Sequence, residues 1–154
     1  MEKAHGCRRS QPHSLISSLE VETETAGTFT KVCGLTQRGI NRQHNMQTTE
    51  VPQDCDDESL PSAIERAVQS SEVTISANGI WAAQSHEMMM DWWYNGPVKN
   101  IRIQHVKAAV GDTEYETAAY LVNPQQCRRK GQKVSADIEI QFDGVPTRTA
   151  KVAP

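Results

Sequence analysis

The sequence predicts a mainly β domain: an antiparallel β-sandwich or barrel with one packed α-helix, at about residues 84–94, and a long loop, at about residues 50–70. Three observations carry this. Segments of alternating apolar and polar residues recur along the chain between Gly- and Asp-bearing turns. Only Gln84 to Tyr94 switches to a helical period, with Met88 and Trp92 four apart and Met89 and Trp93 likewise. Sequential strands joined by short turns pair antiparallel, and a lone helix is then laid against one side of the sheet.

Taken in order, Met1 to Ser17 is polar and reads as an N-terminal arm or atypical leader, leaving residues 18–154 as the domain. Leu19 and Val21, then Phe29 and Val32, suggest a hairpin turned at Thr25-Ala26-Gly27. Between Gly34 and Thr49 both faces of the segment read as polar, Asn41, Gln43, Asn45, Gln47 and Thr49 on one and Ile40, Arg42, His44, Met46 and Thr48 on the other. Such a strand buries little alone, so the stretch is either a loop or a strand with one face toward water and its edges toward other chains. Glu50 to Gln69 reads as a long acidic connection, with Ser62 to Val68 a short helix whose Ser62 and Glu65 have capping-box spacing. Val73, Ile75 and Ala77 alternate into a strand, the helix follows, and Asn95-Gly96-Pro97 supplies its stop. Strands then run at Val98–Val106, Glu116–Val122, Lys133–Phe142 and Pro146–Lys151, with a basic loop at Asn123–Gln132 and a tight turn at Asp143-Gly144. The total is seven or eight strands and one helix.

With 37% hydrophobic residues, the 154-residue chain can bury one modest core, so added stability is expected from partners. A net charge of -3 argues against a nucleic-acid-coating protein. No apolar run is long enough to span a bilayer, so no membrane binding is expected, and the N-terminus has no secretory h-region. Cys7, Cys33, Cys55 and Cys127 lack CxxC spacing and read as reduced thiols. There is no GxSxG, P-loop, HExxH or GxGxxG, and no catalytic residue is named. Cys33 with His44 could be drawn as a thiol–imidazole pair, but a small buried Cys is the commoner reading. Asp54, Asp56, Asp57 and Glu58 invite a Ca²⁺ reading yet lack the EF-hand pattern, so no metal or cofactor is expected. Trp92, Trp93 and Tyr94 could stack a sugar, but aromatics at core spacing usually pack.

The order of features resembles the major tail (tail tube) proteins of long non-contractile-tailed bacteriophages and gene-transfer-agent-like particles. It is carried by "TFTKVCGL", the polar strand, "TTEVPQDCDDESLPSAIERAV", "SSEVTISANGIW", "SHEMMMDWWYNGPVKNIRI" and "KVSADIEIQFDGVPTRT". Residues 1–17 fall outside the likeness. The resemblance implies a non-enzymatic virion protein whose hexameric rings stack into a hollow tube for DNA passage. It implies partners too: further copies, a tape measure protein, a tail terminator and distal tail or baseplate proteins, with assembly in the bacterial host cytoplasm. On that footing Gln43, Asn45 and Gln47, with the acidic face Asp137 and Glu139, are expected to line the lumen, where carboxylates repel phosphate.

Charge adds a second expectation. Glu50 to Arg66 holds six acids and one base, whereas Asn123 to Lys133 holds four bases and no acid. Head-to-tail assembly uses two unlike, complementary patches, so Glu50, Asp54, Asp56, Asp57 and Glu58 are expected to dock on a neighbour with Arg128, Arg129 and Lys130 among the contacts. The competing classes are a small sugar- or ligand-binding β-sandwich module using the aromatic cluster and, more weakly, a Cys-dependent hydrolase. Polymerisation separates them from the tube.

Overall fold

In the computed structural model, residues 17–57, 59–105 and 108–153 are described. The sequence readings for residues 1–16, and for Glu58, Val106 and Lys107, therefore lie outside the described residues. The elements are β1 (Ser17–Glu22), β2 (Phe29–Lys31), β3 (Leu35–Val51), β4 (Ala63–Ile80), α1 (Ala83–Asn95), β5 (Lys99–His105), β6 (Thr113–Leu121), β7 (Gln125–Cys127), β8 (Ser135–Phe142) and β9 (Thr147–Ala150). The nine strands form one antiparallel hydrogen-bonded network in the order β2-β1-β5-β6-β8-β4-β3, with β7 added to β8 and β9 to β6. It is open, with β2 and β3 as its ends. The mainly β, antiparallel fold with a single helix is thus the one the sequence predicts.

One face of the network holds the core. Leu19, Val21, Ile75, Ala77, Ile101, Ile103, Ala119, Leu121, Ile138 and Ile140 are buried there, and α1 lies across them. The helix contributes Met89 and Trp92, both fully buried, with Met88 partly buried against the same core, so of the expected face it is Trp93 that turns away. Trp93 and Tyr94 are 49% and 73% exposed. Burial of each large apolar side chain contributes roughly 1.5–3 kcal/mol, and Trp92 and Met89 join the sheet strands into one unit. Ser85, on the same buried stripe, accepts a hydrogen bond from the Cys33 N–H (2.9 Å), tying the first helical turn to the β2–β3 connection. At the other end Gly96 donates to the Trp92 carbonyl (3.1 Å). It does so in extended conformation. Gly27 and Gly144 do take the left-handed conformation, as their turns require.

Two expectations are corrected. The long loop of residues 50–70 is instead an 11-residue tip, residues 52–62, on a long hairpin: Glu50 and Val51 close β3, and residues 63–69 open β4. The helix expected at Ser62–Val68 is strand from Ala63 onward, paired residue by residue with β3. Part of the basic loop is also strand: Gln125–Cys127 pairs with Ser135–Asp137, leaving residues 128–134 as the turn between β7 and β8.

Candidate functional site

The β3–β4 hairpin dominates the surface. β4 pairs with β8 only from Thr74 to Ile80. Beyond that point β3 and β4 continue with no further strand partner among the described residues, from Arg42 opposite Val73 to Val51 opposite Ala63. At the base Val73 is buried and Arg42 lies over the Tyr115 ring (5.5 Å). At ~3.3 Å per residue the free ribbon reaches about 30 Å past the body. Isolated two-stranded ribbons are marginal in water, and both free edges offer unpaired backbone groups.

Pairing register sorts the hairpin's side chains into two faces. Ile40 opposite Ile75 and Arg42 opposite Val73 lie on the core side. A β-bulge then falls between Asn45 and Met46, where Gln69 is the extra residue on β4. It rephases β4, so that beyond it Val68, Arg66 and Ile64 join Met46, Thr48 and Glu50 on that same side. The opposite face carries Gln37, Asn41, Gln43, Asn45 and Gln47 from β3, with Glu65, Ser70, Glu72, Ser76 and Asn78 from β4. Asn78 is opposite Asp137 and Ser76 opposite Glu139, so both β8 carboxylates belong to this face. The five residues expected together as a channel lining, Gln43, Asn45, Gln47, Asp137 and Glu139, therefore share one side of the sheet. By register no Lys or Arg of β3, β4 or β8 is among them. Small local bonds order the amides: Asn45 Nδ2 donates to Ser70 Oγ (3.0 Å) and Gln43 Nε2 to Asn45 Oδ1 (3.2 Å). A shallow polar groove crosses the face between Gln37, Asn78, Gln125 and Glu139, and Arg38 of β3 also lines it.

The expected interface residues separate into two ends. Asp54, Asp56 and Asp57 sit exposed in the hairpin tip, while Glu50 belongs to β3, opposite Ile64. The tip carboxylates serve local turns: Asp54 Oδ1 accepts from the Asp56 N–H (2.9 Å), and Asp57 Oδ1 from the Ser59 hydroxyl (2.5 Å) and N–H (3.0 Å). The Ser59 hydroxyl, helped by its N–H, holds the Asp57 carboxyl below the usual carboxylate range. Arg128, Arg129 and Lys130 are exposed in the β7–β8 turn, beside Ser135, which is opposite Ile80. Acidic tip and basic turn thus lie at the two ends of β4, separated by roughly 55 Å of extended chain. They cannot meet within one molecule.

Other sequence candidates come apart. Cys33 is exposed, not buried as expected, because it precedes β3 on a connection that only its backbone ties to the helix. His44 bonds Ser71 Oγ (2.8 Å), out on the ribbon. Of the aromatic trio, Trp92 is core and Trp93 stacks edge-on against Tyr94 at 4.9 Å. The sequence reading missed an ionic cluster on the back of β1, β5 and β6. There Arg102 donates to Glu116 (2.7 Å), stands 3.8 Å from Glu114 and 3.9 Å from Glu20, and lies 4.0 Å over the Phe29 ring. Its signal was available as charges alternating with Ile101, Ile103, Leu19 and Val21. Among the described residues no group of three His, Cys, Asp or Glu is arranged to hold a metal ion.

An open sheet with a free ribbon, long unpaired edges and charges divided between opposite ends defines a self-associating structural subunit. The sequence pattern of the phage tail tube protein family matches residues 17–148, and the chain belongs to that family. It is a structural tail tube protein of the virion tail. Solved structures show the same fold. One is described as the tail of an empty gene transfer agent (GTA) particle, refined with helical C6 symmetry: TM-score 0.66, 14% identity, covering 86% of this chain and 95% of that one. A second comes from the virion of a native GTA particle (0.62, 13%, 87% and 95%), and a third is the SPP1 tail tube (0.65, 12%, 89% and 78%). No curated protein matches the sequence.

Proposed function

We propose that six copies of this chain close into a ring, that rings stack into a hollow tube, and that the polar face of β3, β4 and β8 lines its channel. The observation that carries the reading is the shared face of Gln43, Asn45, Gln47, Asp137 and Glu139, free of cationic side chains by register. DNA binding is dominated by Lys and Arg neutralising phosphates. A wall of amides and carboxylates removes that attraction, so DNA passes without being held. Six-fold closure is supported by the C6 symmetry of the GTA tail that shares the fold.

The unlike ends supply the assembly contact: the tip carboxylates Asp54, Asp56 and Asp57 of one copy dock on the Arg128–Lys130 turn of another. Such a contact is heterologous, the type that generates rings and stacks. The protein acts by position and carries out no catalysis. The tape measure, terminator and distal tail proteins implied by the resemblance would meet the channel and the tube's two ends, with assembly in the host cytoplasm.

Negative-stain electron microscopy across a concentration series, followed by helical reconstruction, tests this. The expected result is stacked rings with Asp137 and Glu139 on the channel wall. Both carboxylates on the outer wall would overturn the channel assignment, and a chain that stays monomeric at every concentration would overturn the assembly.

A further inference from the structure

We infer that Cys55 of one copy and Cys127 of the next form an intermolecular disulfide that closes after assembly and locks the tube covalently. The inference rests on the proposed contact between acidic tip and basic turn, and deepens it by giving that contact a bond. Among the described residues Cys33, Cys55 and Cys127 are all free and exposed. Two of the three sit inside the two patches of opposite charge. Cys55 lies between Asp54 and Asp56, and Cys127 immediately precedes Arg128, Arg129 and Lys130. Cys33, between Val32 and Gly34, belongs to neither patch. Local bonds hold both backbones in place. Asp54 Oδ1 accepts from the Asp56 N–H (2.9 Å), which bends the chain into a tight turn with Cys55 at its apex. Cys127 ends β7, paired with Ser135, and its carbonyl accepts from the Ser135 hydroxyl (3.1 Å).

A disulfide needs its two Cα atoms within about 7 Å of each other. Pairing a tip carboxylate with a turn guanidinium brings along the cysteine next in sequence to each, so docking by charge also brings the thiols together. Within one chain the bond is impossible. Cys127 lies beside Ser135, opposite Ile80 at one end of β4, and Cys55 lies beyond Ala63 at the other. The bond therefore joins copies, and joins unlike positions, so each copy gives one thiol to the copy before it and one to the copy after. Closing it takes two protons and two electrons from the thiols, and a small-molecule disulfide accepts them. The thiolate of one cysteine attacks that disulfide and expels one small thiolate. The other cysteine then attacks the mixed disulfide and expels the second. In a reducing compartment the thiols stay free and subunits stay exchangeable; an oxidising medium closes the bonds.

The test treats assembled full-length protein with oxidised glutathione, blocks the remaining thiols with N-ethylmaleimide, and reads the products on non-reducing SDS gels. A ladder of covalent multimers is expected, and Cys7→Ser with Cys33→Ser should leave it unchanged. On that background Cys55→Ser and Cys127→Ser should each give monomer alone. Co-assembled in equal amounts, the two variants should give dimers and nothing longer, because each dimer has used both of its thiols. Dimers from either variant alone, or a ladder that survives Cys55→Ser, overturn the pairing. Tubes seen by electron microscopy in the wild-type sample without a ladder overturn the disulfide and leave the tube reading standing. Wild-type protein that forms no tubes overturns both.

Discussion

Asp57 shows how little a local sequence pattern says about a side chain's partner. The acidic run was legible as a charged patch, but not that the Ser59 hydroxyl would be the strongest influence on one carboxylate in it. Because the folded pKa is depressed, the Asp57–Ser59 bonds stabilise the tip above the ordinary carboxylate pKa and are lost as pH falls through the lower, folded value. Ser59→Ala removes the hydroxyl donor, and NMR titration should find the Asp57 carboxyl moved back up toward the ordinary range. An unmoved titration curve would mean the hydroxyl is not what holds it down. Cys33 carries the same lesson in reverse. Its small apolar side chain suggested burial, yet the side chain is exposed and it is the backbone that is tied down, by the Ser85 bond 52 positions away, which no local pattern contains.

At the scale of elements, the clean alternation of Ser135 to Phe142 and the switch of period at Gln84 were sufficient to find β8 and α1. The ribbon was not, for a definite reason. Ile64 and Val68 are four apart and flanked by Ala63, Glu65 and Ala67, so the segment satisfies helical spacing and helical propensity together. Only cross-strand pairing with β3, which is non-local, selects the strand, and a bulge at Gln69 hides the period that would have joined it to Val73. The helix itself yields a quantitative expectation. Trp92 is fully buried against the sheet and Trp93 is half exposed. Trp92→Ala should cost about 3–5 kcal/mol in urea unfolding, whereas Trp93→Ala should cost far less. Equal losses would contradict the seam described for α1.

For the whole molecule, the antiparallel β fold could be read from alternation, as could the shared face of Gln43, Asn45 and Gln47 and that of Asp137 and Glu139, since residues two apart on a strand must share a face. That the two sets fall on one side of the sheet could not, because it depends on how β3, β4 and β8 pair. The separation of acidic and basic residues to opposite ends could not, because it depends on the full extent of β4 and on which end of it β8 begins beside. That separation gives the assembly its most direct test. Arg128→Glu with Arg129→Glu, both exposed, should leave the monomer's melting temperature nearly unchanged and abolish tubes in electron microscopy. Compensating reversal of Asp56 and Asp57 to Lys should restore them in part. Normal tubes from the first variant would sever the basic turn from assembly.

The opposed ends also give any polymer of these subunits a direction. If every tip carboxylate inside the tube is met by a turn of guanidinium and ammonium groups on the next ring, one terminus must still offer an unmet ring of anions and the other an unmet ring of cations. The two termini are then different chemical surfaces, and growth and arrest can be governed separately at each. A factor that ends elongation at the anionic rim has to present a cationic face. One that founds the tube at the opposite rim has to present an anionic face, and neither can take the other's place.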